Sequence, residues 1–263
     1  MRARKRFGQH YLTDEAVLQR ITAALNLKGD QQLLEVGPGR GALTEHLRGL
    51  PGRYVAVEID RDLVPALESR YRDIEFINAD ILQVPLEEIL VRGDDRWRVV
   101  GNLPYNISTP LLGRMFAHTD LIRDMHFMLQ REVAERLTAV PGTKAWGRLS
   151  VIAQYHCDLQ VLFDVEPDSF TPPPRVHSAV VRLQPRRDKL VLEDPQQLDV
   201  VLRQAFSGRR KRIANALKLL ELPWDRLEID QGARADQLSV SEFVALANEV
   251  AIKEAIKEAN KGE

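Results

Sequence analysis

Apolar runs of strand length alternate with segments of helical periodicity from residue 31 to about residue 183. Each run is rich in Val, Ile and Leu and is bounded by turn-forming or charged residues, as expected of buried strands. Strands that alternate with helices predict a parallel sheet with helices on both faces. We therefore expect an α/β fold with a largely parallel sheet of seven strands. The strands are predicted near residues 31–36, 53–59, 74–78, 97–101, 122–129, 158–165 and 176–183.

The hydrophobic pattern changes after Pro185. Before it, the last two predicted strands are separated only by a proline-rich loop, so they are expected to pair as an antiparallel hairpin at one edge. We place a domain boundary near residue 186, so that residues 1–185 form the first domain and residues 186–263 form a small, all-helical second domain. Helical periodicity in the second domain predicts helices at about 195–206, 209–220 and 236–250.

A glycine-rich turn, GPGRG at residues 37–41, joins the first predicted strand to a helix. This arrangement lets a nucleotide-like ligand approach bare backbone amides. Glu58 ends the next strand, roughly 20 residues after the first glycine, where a carboxylate can accept hydrogen bonds from ribose hydroxyls. Asp80 follows the third strand and is placed to accept a hydrogen bond from an adenine amino group. All these positions fall at the carboxyl ends of strands, where open parallel sheets hold ligands.

The sequence Asn102-Leu103-Pro104-Tyr105 follows the fourth predicted strand. The Asn amide oxygen and the carbonyl that precedes Pro104 can accept hydrogen bonds from an NH2 group, and the Tyr ring offers a face for a base to stack on. These properties suit a nucleobase with an exocyclic amine. They favour an enzyme that presents this amine to the methyl group of S-adenosylmethionine.

A nicotinamide-dependent oxidoreductase is an alternative at this point. Gly37, Gly39 and Ala42 satisfy the dinucleotide pattern G-x-G-x-x-A. The segment at residues 102–105 has no evident role in hydride transfer, so it favours the methyl donor.

The chain resembles the ribosomal RNA adenine N6,N6-dimethyltransferases that act on the small-subunit RNA, and most of all the bacterial housekeeping type. The resemblance implies a Rossmann-like, S-adenosylmethionine-dependent methyltransferase fold with a small helical C-terminal domain. It also implies dimethylation of two adjacent adenosines in the 3′-terminal hairpin loop of 16S ribosomal RNA, with a role in small-subunit biogenesis. It covers nearly the whole chain and rests on the segments FGQHYL, EVGPGRGALT, VEIDRDL, GNLPYNIST, MLQREVAERL, GRLSVIAQYHCD and FTPPPRVHSAVVRL.

The resemblance implies a role for the residues at matching positions. At position 10 this chain has His where Asn is familiar in the family, and Tyr11 stands where Phe is common. The target adenine is expected to contact Asn102, Leu103, Pro104, Tyr105 and Phe170. The donor is expected to contact His10, Leu12, Gly37, Gly39, Glu58, Asp80, Ile81 and Asn102.

The overall charge is balanced, with 37 Lys and Arg against 38 Asp and Glu, so the chain lacks the general basic character of many nucleic-acid binders. Two local clusters are nevertheless basic, and such clusters suffice for phosphate contacts. We expect them to contact small-subunit ribosomal RNA, including the immature 30S particle. They consist of Arg4, Lys5 and Arg6 near the N-terminus, and of Arg209, Arg210, Lys211 and Arg212 in the second domain.

Composition limits the other functions that are possible. The hydrophobic fraction is 44% and no apolar run approaches the length of a membrane span, which favours a cytoplasmic protein. The only cysteine, Cys157, falls in a helical pattern at residues 149–158 and is expected to be an inert core residue. The six His residues show no paired ligand spacing, so no metal is predicted.

We expect the protein to act as a monomer. Two alternatives use similar residues. One is a large-subunit ribosomal RNA adenine N6-methyltransferase of the antibiotic-resistance type. The other is a ribosome assembly factor whose main role is RNA binding.

Overall fold

The computed structural model describes residues 10–49, 52–93, 95–208 and 210–259. Arg4, Lys5, Arg6 and Arg209 lie outside the described residues. The strands are β1 (Tyr11–Leu12), β2 (Leu33–Val36), β3 (Tyr54–Glu58), β4 (Glu75–Asn78), β5 (Trp97–Asn102), β6 (Ile122–Gln130), β7 (Cys157–Val165), β8 (Phe170–Thr171) and β9 (Ser178–Pro185). The helices are α1 (Glu15–Leu25), α2 (Ala42–Leu47), α3 (Val64–Arg70), α4 (Leu86–Ile89), α5 (Ser108–Phe116), α6 (Arg131–Leu137), α7 (Arg148–His156), α8 (Pro195–Phe206), α9 (Ile213–Ala216) and α10 (Val240–Ala259).

Seven strands form one sheet in the order β4-β3-β2-β5-β6-β9-β7. Strands β2 to β6 are parallel to one another, whereas β9 is antiparallel to both β6 and β7. The predicted α/β class, the largely parallel sheet and the antiparallel pair at one edge are therefore confirmed. The direction of strand addition reverses between β2 and β5, and open sheets of this type bind ligands outside the carboxyl ends of the strands at such a point.

Both faces of the central strands β2 and β3 are buried. All residues of β2 and β3 are buried, as is usual for parallel strands covered on both sides. Helix α1 begins where the Asp14 carboxylate accepts hydrogen bonds from the amides of Ala16 and Val17, a typical N-cap. Its buried face belongs to the hydrophobic core that also includes residues of β2, β3 and β5.

A carboxyl group is buried within this core. The side chain of Glu35, on β2, is almost fully excluded from solvent, and its Oε2 accepts hydrogen bonds from Thr44 Oγ1 at 2.8 Å and Tyr54 Oη at 2.6 Å. Burial raises the pKa of Glu35 from 4.5 to about 7, although the two hydrogen bonds lower it in part. The folded protein therefore holds a proton at Glu35 at a pH where the unfolded chain has lost it.

The pH dependence of stability should reveal this proton. Because the folded pKa is raised, the contribution of Glu35 to stability is complete below pH 4.5 and is lost as the pH rises through about 7. Glu35→Gln keeps an oxygen for both donors but cannot ionise. We expect the free energy of unfolding of the variant, relative to that of the wild type, to increase by about 1–3 kcal/mol from pH 5.5 to pH 8. Urea unfolding at each pH measures this difference. A difference that stays constant over this range would contradict the raised pKa.

The chain divides into two compact units. The first comprises Met1–Ala134 and Cys157–Pro185, and the second comprises Glu135–His156 and Arg186–Glu263. The expected boundary near residue 186 coincides with one junction, but residues 135–156, which were expected in the first domain, belong to the second unit. The reason for the difference lies in packing: Trp146 and Val151 belong to the same hydrophobic core as residues of α8 and α10. Periodicity predicts a helix but does not indicate which core the helix joins.

Three elements differ from the sequence-based expectations. Cys157 is buried, but it begins strand β7 and does not lie in the preceding helix. The helix expected at 209–220 is replaced by α9 and a 3-10 turn at Lys218–Leu220. Helix α10 begins at Val240 and not near residue 236, and it continues to Ala259 through a Lys- and Glu-rich segment of high helix propensity. No helix in the described ranges is long and apolar enough to cross a membrane.

Candidate active site

The loop between β2 and α2 contains three glycines with positive φ. The φ angles are 69° at Gly37, 59° at Gly39 and 80° at Gly41, in the left-handed region that favours glycine. A side chain at Gly39 would also approach the ring of Tyr11, since an added Cβ would lie 3.2 Å from two ring carbons. The sequence therefore needs glycine here both for the turn and for the close contact with the N-terminal segment.

Glu58 ends strand β3 beside this loop. Its side chain is buried, Oε2 accepts a hydrogen bond from the Gly39 amide at 2.9 Å, and Oε1 accepts one from the Asp60 amide at 2.8 Å. Burial raises the pKa of Glu58, and the hydrogen bonds from these two amides lower it in part. The two amides thus fix the direction of the carboxylate at the edge of the sheet.

Asp80 lies in the loop after β4. Its Oδ1 accepts a hydrogen bond from the Leu82 amide at 2.9 Å, which closes a tight turn. The guanidinium of Arg114, on α5, donates to the carbonyls of Ile81 at 2.5 Å and Val84 at 2.7 Å. Arg114 therefore anchors the loop that carries Asp80. Nothing in the sequence pattern indicated this role, because the two segments are distant in the chain.

The segment at residues 102–105 leaves the sheet and leads into α5. The Leu103 amide donates to the Met128 carbonyl at 3.2 Å, and the Pro104 carbonyl accepts from the Ile107 amide at 3.1 Å. The Asn102 Nδ2 donates to the His10 carbonyl at 3.0 Å. Because the two polar atoms of a carboxamide point in different directions, this bond turns Asn102 Oδ1 away from the N-terminal segment.

A two-stranded ribbon, formed by β1 and β8, adds the remaining wall. Leu12 pairs with Phe170, and Tyr11 pairs with Thr171, in antiparallel register. The His10 Nδ1 lies 2.7 Å from the Pro172 carbonyl and donates to it, so the imidazole is held at the same ribbon. This ribbon was not predicted from the sequence pattern.

These elements enclose a cavity of about 380 Å³, a volume typical of small-molecule sites. Each residue expected to contact the target base contributes to the wall: Asn102, Leu103, Pro104, Tyr105 and Phe170. The wall also includes the expected donor-contacting residues His10, Gly37, Gly39, Glu58, Asp80 and Ile81. Leu12 lines instead a second cavity of about 360 Å³, which shares Gly37 and Gly39 with the first. Residues that also line the first cavity but were not predicted to do so include Tyr11, Ile59, Leu82, Asn106 and Ile107.

The basic cluster of the second unit lies at its surface. Arg210, Lys211 and Arg212 are exposed and precede α9. Nearby, Arg203 on α8 forms an ion pair with Asp199. The described part of this cluster is thus accessible to a polyanion.

Known proteins are similar in sequence to this chain over most of its length. Residues 1–252 match the family model described as ribosomal RNA adenine dimethylase. The protein from Coxiella burnetii named ribosomal RNA small subunit methyltransferase A is 49% identical over 254 residues, which cover 94% of this chain and 98% of that one. The protein of the same name from Pseudomonas aeruginosa is 48% identical over 259 residues, which cover 95% of each chain.

Solved structures share the fold as well. A dimethyladenosine transferase from Plasmodium falciparum superposes with a TM-score of 0.78 at 25% identity and covers 93% of this chain and 98% of its own. The 23S rRNA methyltransferase ErmE superposes with a TM-score of 0.71 at 25% identity and covers 92% of this chain and 99% of its own. Together with the sequence matches and the cavity at the strand ends, these likenesses identify the chain as a member of the ribosomal RNA adenine dimethylase family, methyltransferases that use S-adenosylmethionine.

Proposed function

We propose that this protein transfers methyl groups from S-adenosylmethionine to N6 of two adjacent adenosines in the 3′-terminal hairpin loop of 16S ribosomal RNA. One observation carries the proposal: the residues suited to a nucleoside donor and those suited to an amino-bearing base line the same cavity. The names of the relatives from Coxiella burnetii and Pseudomonas aeruginosa support the small ribosomal subunit as the source of the substrate.

The chemistry of the cavity wall fits the donor. The Glu58 carboxylate offers acceptors for two ribose hydroxyls, and Asp80 offers one for the adenine amino group. Ile59 and Ile81 add apolar surface on which an adenine ring can pack. On this assignment Glu58 and Asp80, at the ends of β3 and β4, would hold the nucleoside, and Asn102 would hold the amine that receives the methyl group.

The acceptors of the 102–105 segment hold the amine that reacts. Asn102 Oδ1 and the Leu103 carbonyl accept the two amino protons, which favours a pyramidal nitrogen whose lone pair is no longer delocalised into the ring. The Tyr105 and Phe170 rings flank the base, and stacking contributes about 1–3 kcal/mol per base. This offsets much of the few kcal/mol needed to remove a base from its stack.

S-adenosylmethionine supplies an electrophilic methyl group: N6 forms the new N–C bond, sulfur keeps the electron pair of the broken S–C bond, and an amine proton passes to water. The residues around N6 need not act as a general base, because the proton becomes acidic once the nitrogen is alkylated. Their contribution is alignment and electrostatic stabilisation. Alignment alone can supply roughly 7–11 kcal/mol.

The exposed residues Arg210, Lys211 and Arg212 suit phosphate contacts that position the RNA without reading its sequence. We assign the same role to Arg209, Arg4, Lys5 and Arg6, which lie outside the described residues. We place the reaction in the cytoplasm, with a monomer acting on the immature 30S particle.

A labelling experiment tests the substrate. Methyl-labelled S-adenosylmethionine is incubated with the protein and with small subunits that lack the modification, with large subunits, or with protein-free 16S RNA. We expect strong labelling of the small subunits, at two neighbouring adenosines near the 3′ end. The control is small subunits that already carry the dimethyl groups, which should accept no label.

Label in the large subunit would instead indicate the second candidate function, methylation of 23S RNA. That candidate has support from the fold shared with ErmE, but the sequence identity to ErmE is about half of that to the small-subunit relatives. Label in none of the three RNAs would contradict both.

A further inference from the structure

We propose that Ser178 is a positioning residue that sets the orientation of the Tyr105 ring, and through it the placement of the target adenine for the second methyl transfer. The proposal rests on the proposed function of the cavity. The Ser178 Oγ and the Tyr105 hydroxyl share a hydrogen bond of 2.9 Å. Ser178 is fully buried and does not itself line the cavity, so it acts on a substrate only through Tyr105.

The sheet fixes the position of the Ser178 hydroxyl. Ser178 begins β9, which lies between β6 and β7, and it pairs with Gln130 on one side and with Val165 on the other. A residue paired with strands on both sides has little backbone freedom. The Ser178 hydroxyl is therefore held in a fixed position relative to the sheet.

Tyr105, in contrast, lies in a turn. It follows the Leu103-Pro104 peptide at the end of β5, and its ring is half-buried. One side of the ring lies near the His10 imidazole, with ring centres 6.0 Å apart and planes inclined by 26°. That separation is loose for stacking, so the hydrogen bond to Ser178 is the more specific restraint on the position of the ring.

Burial makes the hydrogen bond important. Desolvation raises the pKa of the Tyr105 hydroxyl, so the group stays neutral, and the Ser178 hydroxyl is its hydrogen-bond partner. Loss of that partner would leave a partly buried hydroxyl unpaired. The ring would then reorient toward solvent or toward another acceptor, and the surface on which the base stacks would tilt.

The second methyl transfer should be the more sensitive step. In adenine, two amino protons are available to the Asn102 and Leu103 acceptors, whereas N6-methyladenine has only one. Stacking on Tyr105 therefore carries a larger share of the positioning after the first transfer. A tilted ring should allow the first transfer and slow the second.

The test compares Ser178→Ala with Tyr105→Phe, Ser178→Thr and the double variant, with unmethylated small subunits as substrate. We expect Ser178→Ala to raise the ratio of monomethyl to dimethyl product by about 5-fold, the effect of one ordinary hydrogen bond. Tyr105→Phe removes the same bond from the other side and should give a similar ratio. The double variant should give a ratio of monomethyl to dimethyl product no higher than that of either single variant. Ser178→Thr keeps the hydroxyl and should give the ratio of the wild type.

Binding of S-adenosylhomocysteine separates this role from general damage, because Ser178 bonds to Tyr105 and is not among the residues assigned to the donor. Its Kd should stay the same in all the variants. A wild-type product ratio in Tyr105→Phe would overturn the proposal even if Ser178→Ala failed to fold. Equal losses of S-adenosylhomocysteine binding and of methyl-transfer activity in these variants would also overturn the proposal. If the wild-type protein itself does not label small subunits, it is the proposed function that fails, whereas labelling by wild type with unchanged products in both variants refutes only the role of Ser178.

Discussion

Asn102→Ala should lower the rate of methyl transfer by about 10²–10³-fold, the typical loss when one preorganised hydrogen-bonding group is removed from a reacting centre. The carboxamide is held by its bond to the His10 carbonyl, so that its oxygen is already directed before the substrate arrives. Alanine removes both the acceptor for the amine and the contact that orients it. Single-turnover transfer to unmethylated small subunits, at saturating donor, measures the effect directly.

Asn106→Ala is the matched control. Asn106 lines the same cavity and has the same side chain, but it follows the 102–105 segment and is not assigned to the amine. Its rate should stay within a few-fold of the wild type. If Asn102→Ala binds RNA normally and still transfers methyl at full rate, the proposed clamp on the amine does not exist.

Glu58→Ala should weaken donor binding by about 10²-fold or more, since hydrogen bonds to a charged group contribute about 1.5–3 kcal/mol each and Glu58 is assigned two. The variant also leaves the Gly39 and Asp60 amides without the carboxylate that now accepts from them. Glu58→Gln retains one acceptor and should lose less. Calorimetry with S-adenosylhomocysteine gives Kd for each protein.

Glu68→Ala serves as the comparison, because Glu68 is exposed on α3 and does not contribute to the cavity wall. Its Kd should equal that of the wild type. An unchanged Kd in Glu58→Ala would remove Glu58 from the donor site and would place the nucleoside elsewhere in the cavity.

Much of the fold was predictable because burial on both faces produces long apolar runs. Strands β2, β3 and β5 read as such runs, and in a parallel sheet their carboxyl ends must meet at one edge. The gathering of Gly37, Glu58 and Asn102 around one cavity follows from that geometry. The identity of the target RNA came from the resemblance to known proteins and not from this pattern.

The ribbon of β1 and β8 could not be predicted from periodicity. Each of its strands has two residues, which is too short for an alternating pattern to be recognised. The roles of Arg114 and Ser178 could not be predicted for a different reason. Each acts on a segment distant in the chain, Arg114 through two hydrogen bonds and Ser178 through one. A single Arg or Ser within an ordinary helix or strand carries no local signal.

The limit of local patterns also explains the assignment of residues 135–156. Their helix α7 lies between strands β6 and β7, as the earlier helices lie between strands of the sheet. Only the partners of Trp146 and Val151 show that this helix belongs to the core of the second unit. Which core a helix joins depends on three-dimensional packing, which a linear pattern does not encode.

The ribbon also restricts how the N-terminal segment can evolve. His10 contributes its carbonyl to Asn102 and its ring to Pro172, while Leu12 pairs with Phe170 only two residues later. A deletion or insertion of one residue here would exchange the side chains that face inward and outward. Natural selection should therefore preserve the length of this segment more strictly than its composition, and substitutions such as His for Asn at position 10 should be tolerated more readily than any shift in register.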